Sequence, residues 1–410
     1  MTFLSAPTSP VITLVVRFLE WLDGLDAPVV AATAIIAGLL AIISPSWEGS
    51  LIRFGFAGLY NRRVLSTLLA IFALLSEFTA YALSPTRLEF ATLLFISVLV
   101  MLTYLLAPKR MFIALDYPAH VSAAEAKLTA ETPIIGLSVD EHACAWPLAL
   151  VRVHHVVNDW LGPHPVLVSY CPACQTALVY SARVNGRYLG FVVAGMARRN
   201  LIMRDRETDS LWQQATGQAI AGRRAGSQLE LAGGEQMSWA AWQKEHPQTE
   251  VAIADPEQPS SLLPGLTRFR PVFAPYMLLL PLLLRDRRLA AREEVVGIRV
   301  GEAARAYPLS RLRRERVVND VLGGEPLVVL YSADADRVRA FARQVGGRVV
   351  TLAAEGDDLR DRASEMRWNG SGEPLSATTA EPLRPVPLQR TRWHSWRGFY
   401  PHTSIYSAEA

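Results

Sequence analysis

From Pro133 onward the chain writes one pattern twice, and no single feature limits its fold more. Ile135-Gly136-Leu137, Trp146-Pro147-Leu148 and Val157-Asn158-Asp159 recur as Val296-Gly297-Ile298, Tyr307-Pro308-Leu309 and Val318-Asn319-Asp320, with Asn158 and Asn319 separated by 161 positions. The match persists from Pro165–Tyr170 to Pro326–Tyr331. The spacing then contracts to 156 between Trp212 and Trp368, and to 154 between Thr249 and Thr403. A long period with this many ordered matches means two copies of one supersecondary unit, each needing a buried core. It also supplies an internal control, because a residue that serves function rather than fold can be absent from one copy.

Within each copy a strand-like run leads to a helical turn near Trp146-Pro147 or Tyr307-Pro308. The Asn-Asp pairs that follow, just before Gly162 and before Gly323-Gly324, read as turns, since these residues tolerate left-handed backbone. Val166–Tyr170, Ala177–Val184 and Tyr188–Ala194 read as strands, with Asn185-Gly186 as a hairpin turn. Arg337–Val345 and Trp239–Glu245 read as helices. The expectation is an α+β region with mainly antiparallel sheet, divided into a first repeat at 133–254, an apolar linker at 255–293 and a cysteine-free second repeat at 294–407. Inside that linker Pro271–Leu284 is too short and Pro-interrupted to span a membrane, and is expected to dock on a membrane face or on the sheet.

The N-terminal third has a different composition. Val64–Leu83 and Leu88–Ala107 are nearly free of charge and have the length of a membrane-crossing helix, and 28–44 is a shorter third run. The sequence therefore predicts two or three α-helical transmembrane segments within 28–110, preceded by an amphipathic segment at 1–27 that lies on the bilayer surface. Glu77 is the one acid inside the first run. Arg53, Arg62 and Arg63 before the hairpin, and Lys109 and Arg110 after it, place the remaining region on the cytoplasmic face of the cell membrane. No cleavable export signal is evident. The lipid bilayer is the expected partner. A net charge of +3, without a basic face interleaved with aromatics, excludes nucleic acid. A protein partner has no signature.

Three cysteines do not make a secreted disulfide scaffold. Cys171 and Cys174, in Tyr170-Cys171-Pro172-Ala173-Cys174-Gln175-Thr176, form a C-x-x-C pair leaving a strand. Such a pair can close a disulfide loop, share a proton so that one thiol becomes more acidic, or offer half of a tetrahedral site for zinc, copper or iron. His154 and His155 are the nearest candidates for the remaining ligands, with His142, His164 and Cys144 as further options. The absence of His at position 175 rules out the usual covalent haem motif. The second copy has Ser332 and Ala335 where the first has the thiols, so the scaffold does not require sulfur. The competing reading is drift among small buried residues. Arg204-Asp205-Arg206-Glu207 is a charged cluster that binds an anion or forms a solvated hairpin face. Trp212 reads as core.

The run VVNDWLGPHPVLVSYCPACQTALVY, followed by NLIMRDRETDSLWQQATGQAIAG and SWAAWQKEHPQT, closely resembles the domain-of-unknown-function family 3179, over about Pro133 to Ser407. The resemblance implies no particular reaction. Tyr170, Cys171, Pro172, Cys174, Thr176, Asp205, Arg206, Glu207, Ser210, Leu211, Trp212 and Gln213 match its motifs, and from these Tyr170, Thr176, Asp205, Arg206, Glu207 and Trp212 are candidate cofactor-binding residues. The leading expectation is a membrane-anchored thiol protein whose Cys171 and Cys174 cycle between dithiol and disulfide or hold a soft metal. The alternative is a non-catalytic ligand-binding or assembly module at the membrane.

Overall fold

The computed structural model describes residues 35–36, 55–83, 85–105, 112–197, 200–254, 258–259, 286–375 and 381–407. It divides into two compact units, Met1–Pro108 and Lys109–Ala410. The expected segments at 1–27 and 28–44 fall outside the described residues except Ile35 and Ile36, as do Lys109, Arg110 and the stretch Pro271–Leu284.

The first unit contains the helices Gly55–Leu83 and Arg87–Leu105. They meet through Ala73 and Ile96, with Leu69, Phe72, Leu74 and Val100 packed around them. Glu77 is buried and accepts a hydrogen bond from the Thr92 hydroxyl. Leu68, Ile71, Leu75, Phe78, Leu94 and Phe95 are exposed. The transmembrane expectation is corrected here, because no helix among the described residues is long and apolar enough to cross a membrane. The apolar runs belong to helices that also carry charge: the first includes Arg62, Arg63 and Glu77, and the second begins on Arg87 and Glu89.

In the second unit each half opens with an antiparallel hairpin, Pro133–Val139 with His142–Pro147 and Glu294–Val300 with Ala303–Pro308. Pro147 and Pro308, at φ −53° and −57°, lead directly into the short helices Leu148–His154 and Leu309–Glu315. Each helix ends on a residue at positive φ, His155 at 67° and Arg316 at 63°, whose N–H returns to Val151 O or Leu312 O. This reversal feeds a three-strand antiparallel meander. It is Val156–Leu161, His164–Cys171 and Thr176–Ser181 in the first half, and Val317–Leu322, Glu325–Ser332 and Arg337–Ala342 in the second.

Two expectations fail within these meanders. Arg337–Ala342 is a strand, not a helix. Val338, Ala340 and Ala342 face one core while Phe341 faces another, so burial on both sides hides the period of two. Asn158 and Asp159 lie within a strand, and the chain turns later at Gly162, whose φ is +55°. Asn158 acts as a side-chain clamp: its Nδ2 donates to Phe191 O at 2.9 Å and its Oδ1 accepts from Phe191 N at 2.8 Å. Asn319 holds Leu352 in the same way, at 2.7 and 2.9 Å. The Asn185-Gly186 turn and the helix Trp239–Glu245 form where the sequence places them.

Each half closes with a tryptophan helix, Trp239–Glu245 or Trp393–Phe399. Trp242 Nε1 donates to Thr249 Oγ1 and Trp396 Nε1 to Thr403 Oγ1, both at 2.9 Å. The indoles lie flat on Gly136 and Gly297, where an added Cβ would stand 2.5 and 2.3 Å from ring carbons. The halves then dock reciprocally. Arg392 N donates to Cys174 O at 2.9 Å, and Ser238 N, at the position equivalent to Arg392, donates to Ala335 O, equivalent to Cys174 O, at 3.0 Å. The second unit is thus a pseudo-twofold pair in which each half's turn rests on the other half's closing strand.

Because a fully buried indole cannot withdraw from a new methyl, Gly136→Ala and Gly297→Ala should each destabilise the unit by about 1–3 kcal/mol. Urea unfolding of the full chain checks this by a lowered midpoint, and unchanged midpoints for both variants would contradict the packing described.

Candidate functional site

The turn Pro172–Gln175 joins two strands that pair up to Cys171 and Thr176. Gln175 takes φ +54°, as Asp336 takes +44° in the second half, so the turn's shape comes from the shared fold and not from the sulfurs. The turn packs into the joint between the halves, which leaves Cys171 1% and Cys174 0% exposed. Both thiols are free.

The surroundings of Cys174 are polar. Asn200 Nδ2 donates to its Sγ at 3.1 Å, and the Cys174 Sγ–H reaches Cys171 O at 3.8 Å. Asn200 is itself fixed, because its Oδ1 accepts from Gln213 Nε2 at 2.7 Å and Ala215 N at 2.8 Å, while its Nδ2 also donates to Gln214 Oε1 at 2.7 Å. Gln214 is held by Thr176 O at 3.0 Å and Ser169 Oγ at 3.3 Å. The second half adds Thr391, whose hydroxyl lies 2.6 Å from that of Thr176, and Ser395 beside the sulfur.

This nest separates the two thiols electrostatically. Burial pushes Cys174 up, but the Asn200 amide that donates to its sulfur, the Cys171 thiol and the nearby hydroxyls of Thr176 and Ser395 outweigh it and bring the thiol down to about 7. Burial, and then the bond to Cys174, hold Cys171 well above the usual thiol range. One sulfur carries charge near neutrality and its neighbour keeps a proton.

Of the residues singled out from sequence, Cys171, Cys174 and Thr176 meet here. Tyr170 is buried in the strand before them, and its N–H donates to His155 O at 2.9 Å. The histidines point elsewhere. His154 Nδ1 bonds Ile113 O at 2.8 Å, and His155 lies against Phe112 with ring centroids 4.4 Å apart, where burial lowers its pKa to about 4. His154 also lines an apolar groove of about 540 Å³ with Leu128, Leu150, Val153 and Ile253. Asp205, Arg206, Glu207 and Trp212 form a separate bracket. Asp205 accepts from Trp212 Nε1 at 2.8 Å, Arg206 pairs with Asp116 at 2.8 Å, and Glu207 accepts from Gly190 N at 3.0 Å. Their polar groups are spent on holding the chain. Among the described residues, the three metal-capable side chains that converge are His120, Cys144 and Asp159, whose ligand atoms lie within 4.8 Å of one another.

Sequence reading missed Asn200, Gln214, Ser169, Thr391 and Ser395. A signal for the first two existed. The hairpin runs from Phe191 to Asp205 in the first half but only from Leu352 to Asp361 in the second, and the contracted repeat spacing records this difference. At the contracted spacing Asn200 and Gln214 correspond to Gly356 and Gly370. The amides and the sulfurs are therefore absent from the second copy together.

A family model described as "Protein of unknown function (DUF3179)" matches residues 112–403, which takes in both halves. The chain belongs to this family. No curated protein and no solved structure matches the chain. In this DUF3179 member the thiol nest therefore has to be read from its own chemistry.

A depressed folded-state thiol pKa stabilises the fold above the unfolded thiol's pKa, and that contribution is lost as pH falls through about 7. Cys171, whose pKa is raised, works in the opposite sense as pH rises past the unfolded thiol's value, but it is present in both proteins and drops out of a comparison with Cys174→Ala. Under reducing conditions the full chain should gain up to about 2 kcal/mol relative to Cys174→Ala between pH 7 and 9, and Asn200→Ala should lose much of that gain. Urea midpoints against pH give the comparison, and parallel curves for all three proteins would contradict it.

Proposed function

We propose that the Cys171–Cys174 pair is a dithiol–disulfide redox site in which Cys174 is the attacking thiolate and Cys171 the resolving thiol. The observation that carries this reading is the Asn200 Nδ2 hydrogen bond to Cys174 Sγ at 3.1 Å, which favours the charged sulfur. A structural cysteine needs no such donor. Loss of the sulfurs together with Asn200 and Gln214 in the second half supports the reading further.

The reaction class follows from burial. With both sulfurs shielded by the turn, a small co-substrate, a low-molecular-weight disulfide, suits the site better than a protein disulfide. The Cys174 thiolate attacks one sulfur of that disulfide, forming a mixed disulfide and releasing one thiolate. Cys171 then gives up its proton and attacks Cys174 Sγ, closing the protein disulfide and releasing the second thiolate. Two protein thiols are oxidised and one disulfide is reduced to two thiols, so electrons and protons balance. Holding a soft metal on this pair is the weaker form of the proposal, since His154 and His155 turn away to Ile113 and Phe112.

A second reading, binding of an apolar ligand without catalysis, is favoured by the groove of about 540 Å³ beside His154. The two readings separate experimentally. Equilibration of the full chain in glutathione buffers should show one reversible two-electron step that disappears in both Cys171→Ser and Cys174→Ser. A wild-type chain without that step, or a step that survives both substitutions, would sink the redox reading.

A further inference from the structure

The five-stranded sheet of the first half assembles a second donor set, away from the thiol turn. The strand Ala119–Ser122 runs antiparallel to Glu250–Ile253, which runs parallel to His142–Pro147. This order brings His120 and Cys144 to one place. Asp159, from the strand Val156–Leu161, completes a cluster in which the imidazole nitrogen, the thiol sulfur and the carboxylate oxygen all lie within 4.8 Å of one another. His120 Nε2 is 3.0 Å from Asp159 Oδ2, and Trp146 Nε1 donates to the same oxygen at 2.7 Å. Among the described residues, the corresponding sheet of the second half has four strands and none equivalent to Ala119–Ser122.

The duplication shows what the pocket is built around. In the second half Asp320 replaces Asp159, Tyr307 replaces Trp146 and Arg305 replaces Cys144. Arg305 Nη1 lies 2.5 Å from both oxygens of Asp320, and the Tyr307 hydroxyl donates to Asp320 Oδ2 at 2.6 Å. A half-buried carboxylate is steadied by a compensating charge, and there a guanidinium supplies it permanently. The first half keeps the carboxylate and its aromatic donor but puts a thiol where the guanidinium stood, and a histidine from Ala119–Ser122 joins them. A nitrogen, a sulfur and an oxygen donor replace one cation.

We propose that His120, Cys144 and Asp159 form a divalent-cation site of the zinc class, the ion taking the place that the Arg305 guanidinium occupies in the second half. A divalent ion with one carboxylate, one thiolate and one neutral imidazole leaves no net charge in the pocket, which matches the balance of the Arg305–Asp320 pair. Donor atoms around tetrahedral zinc stand about 3.3–3.8 Å apart, given zinc bonds of about 2.0–2.3 Å, so the His120–Asp159 pair has to open by a few tenths of an ångström from 3.0 Å, and any separation nearer the 4.8 Å limit has to close. Mixed nitrogen, sulfur and oxygen ligation selects zinc over magnesium or calcium. Binding releases the Cys144 proton and takes the place of the His120–Asp159 hydrogen bond. His120, with 22% of its side chain exposed, gives the ion its way in. Glu250, paired with Cys144 across the sheet, is placed to hold a water in the fourth position.

The test uses the full chain, reduced and stripped of metal by a chelator, with Co²⁺ alone as the probe and Zn²⁺ as its competitor. The expected result is one equivalent of Co²⁺ bound, thiolate-to-cobalt charge-transfer absorption, four-coordinate visible bands, and displacement by Zn²⁺. Cys144→Ser should abolish the charge-transfer band, His120→Ala should weaken Co²⁺ binding about 100-fold, and the double variant Cys171→Ser/Cys174→Ser should retain the full signal. Lack of the band in the wild-type chain, its persistence in Cys144→Ser, or its loss in the double variant would overturn the proposal. If Cys144→Ser does not fold, undiminished affinity in His120→Ala overturns it equally.

Discussion

Two main-chain hydrogen bonds, Arg392 N to Cys174 O and Ser238 N to Ala335 O, join the halves, and the rest of the second unit is arranged so that both can form. Each requires a tight turn to present its carbonyl to the closing strand of the other half. The asparagine clamps hold the meanders, the tryptophan helices hold the closing strands, and the two glycines let those indoles lie flat on the sheet. One such half alone would leave both the turn and the strand edge unsatisfied. Two halves satisfy them mutually.

Once the backbone of the joint is fixed twice over, side chains at its two ends are free to differ, and they have diverged in opposite directions. At the end formed by the second-half turn, Arg337 meets Glu245 at 2.7 Å and Arg339 meets Glu235 at 2.6 Å, an ion-pair network across the halves. At the other end, Thr176 stands where Arg337 would be and Cys174 stands where Ala335 would be. Amide and hydroxyl dipoles surround the sulfur there. A network of formal charges locks geometry, whereas oriented neutral dipoles stabilise a charge that can appear and disappear. The same divergence separates Arg305–Asp320 from His120–Cys144–Asp159, a fixed cation on one side and exchangeable donors on the other.

The duplication, the hairpin turn at Asn185-Gly186 and the helix Trp239–Glu245 were legible in the sequence, because each is written in local residue chemistry or in direct self-similarity. The pairing of Cys171 with Cys174 was legible for the same reason. Thr391 and Ser395 were not, since they reach Cys174 across separations that only the docked halves define, while Asn200 comes to the sulfur from another hairpin of the same half. The strand Arg337–Ala342 read as a helix because both its faces are covered and its arginines mask the alternation. The asparagine clamps read as turns because Asn beside Gly is usually turn chemistry. Apolar length alone suggested membrane spans, which no helix among the described residues bears out.

The central claim is that a buried set of neutral dipoles makes Cys174 a thiolate near neutral pH while the other thiols stay protonated. Raman spectroscopy of the reduced, metal-free full chain reads S–H stretching directly and needs no reagent to enter the core. The account predicts that one of the three S–H oscillators is lost between pH 5 and 9 with a midpoint near 7, while those of Cys144 and Cys171, which burial pushes up, persist. Retention of all three S–H bands at pH 9 would contradict it.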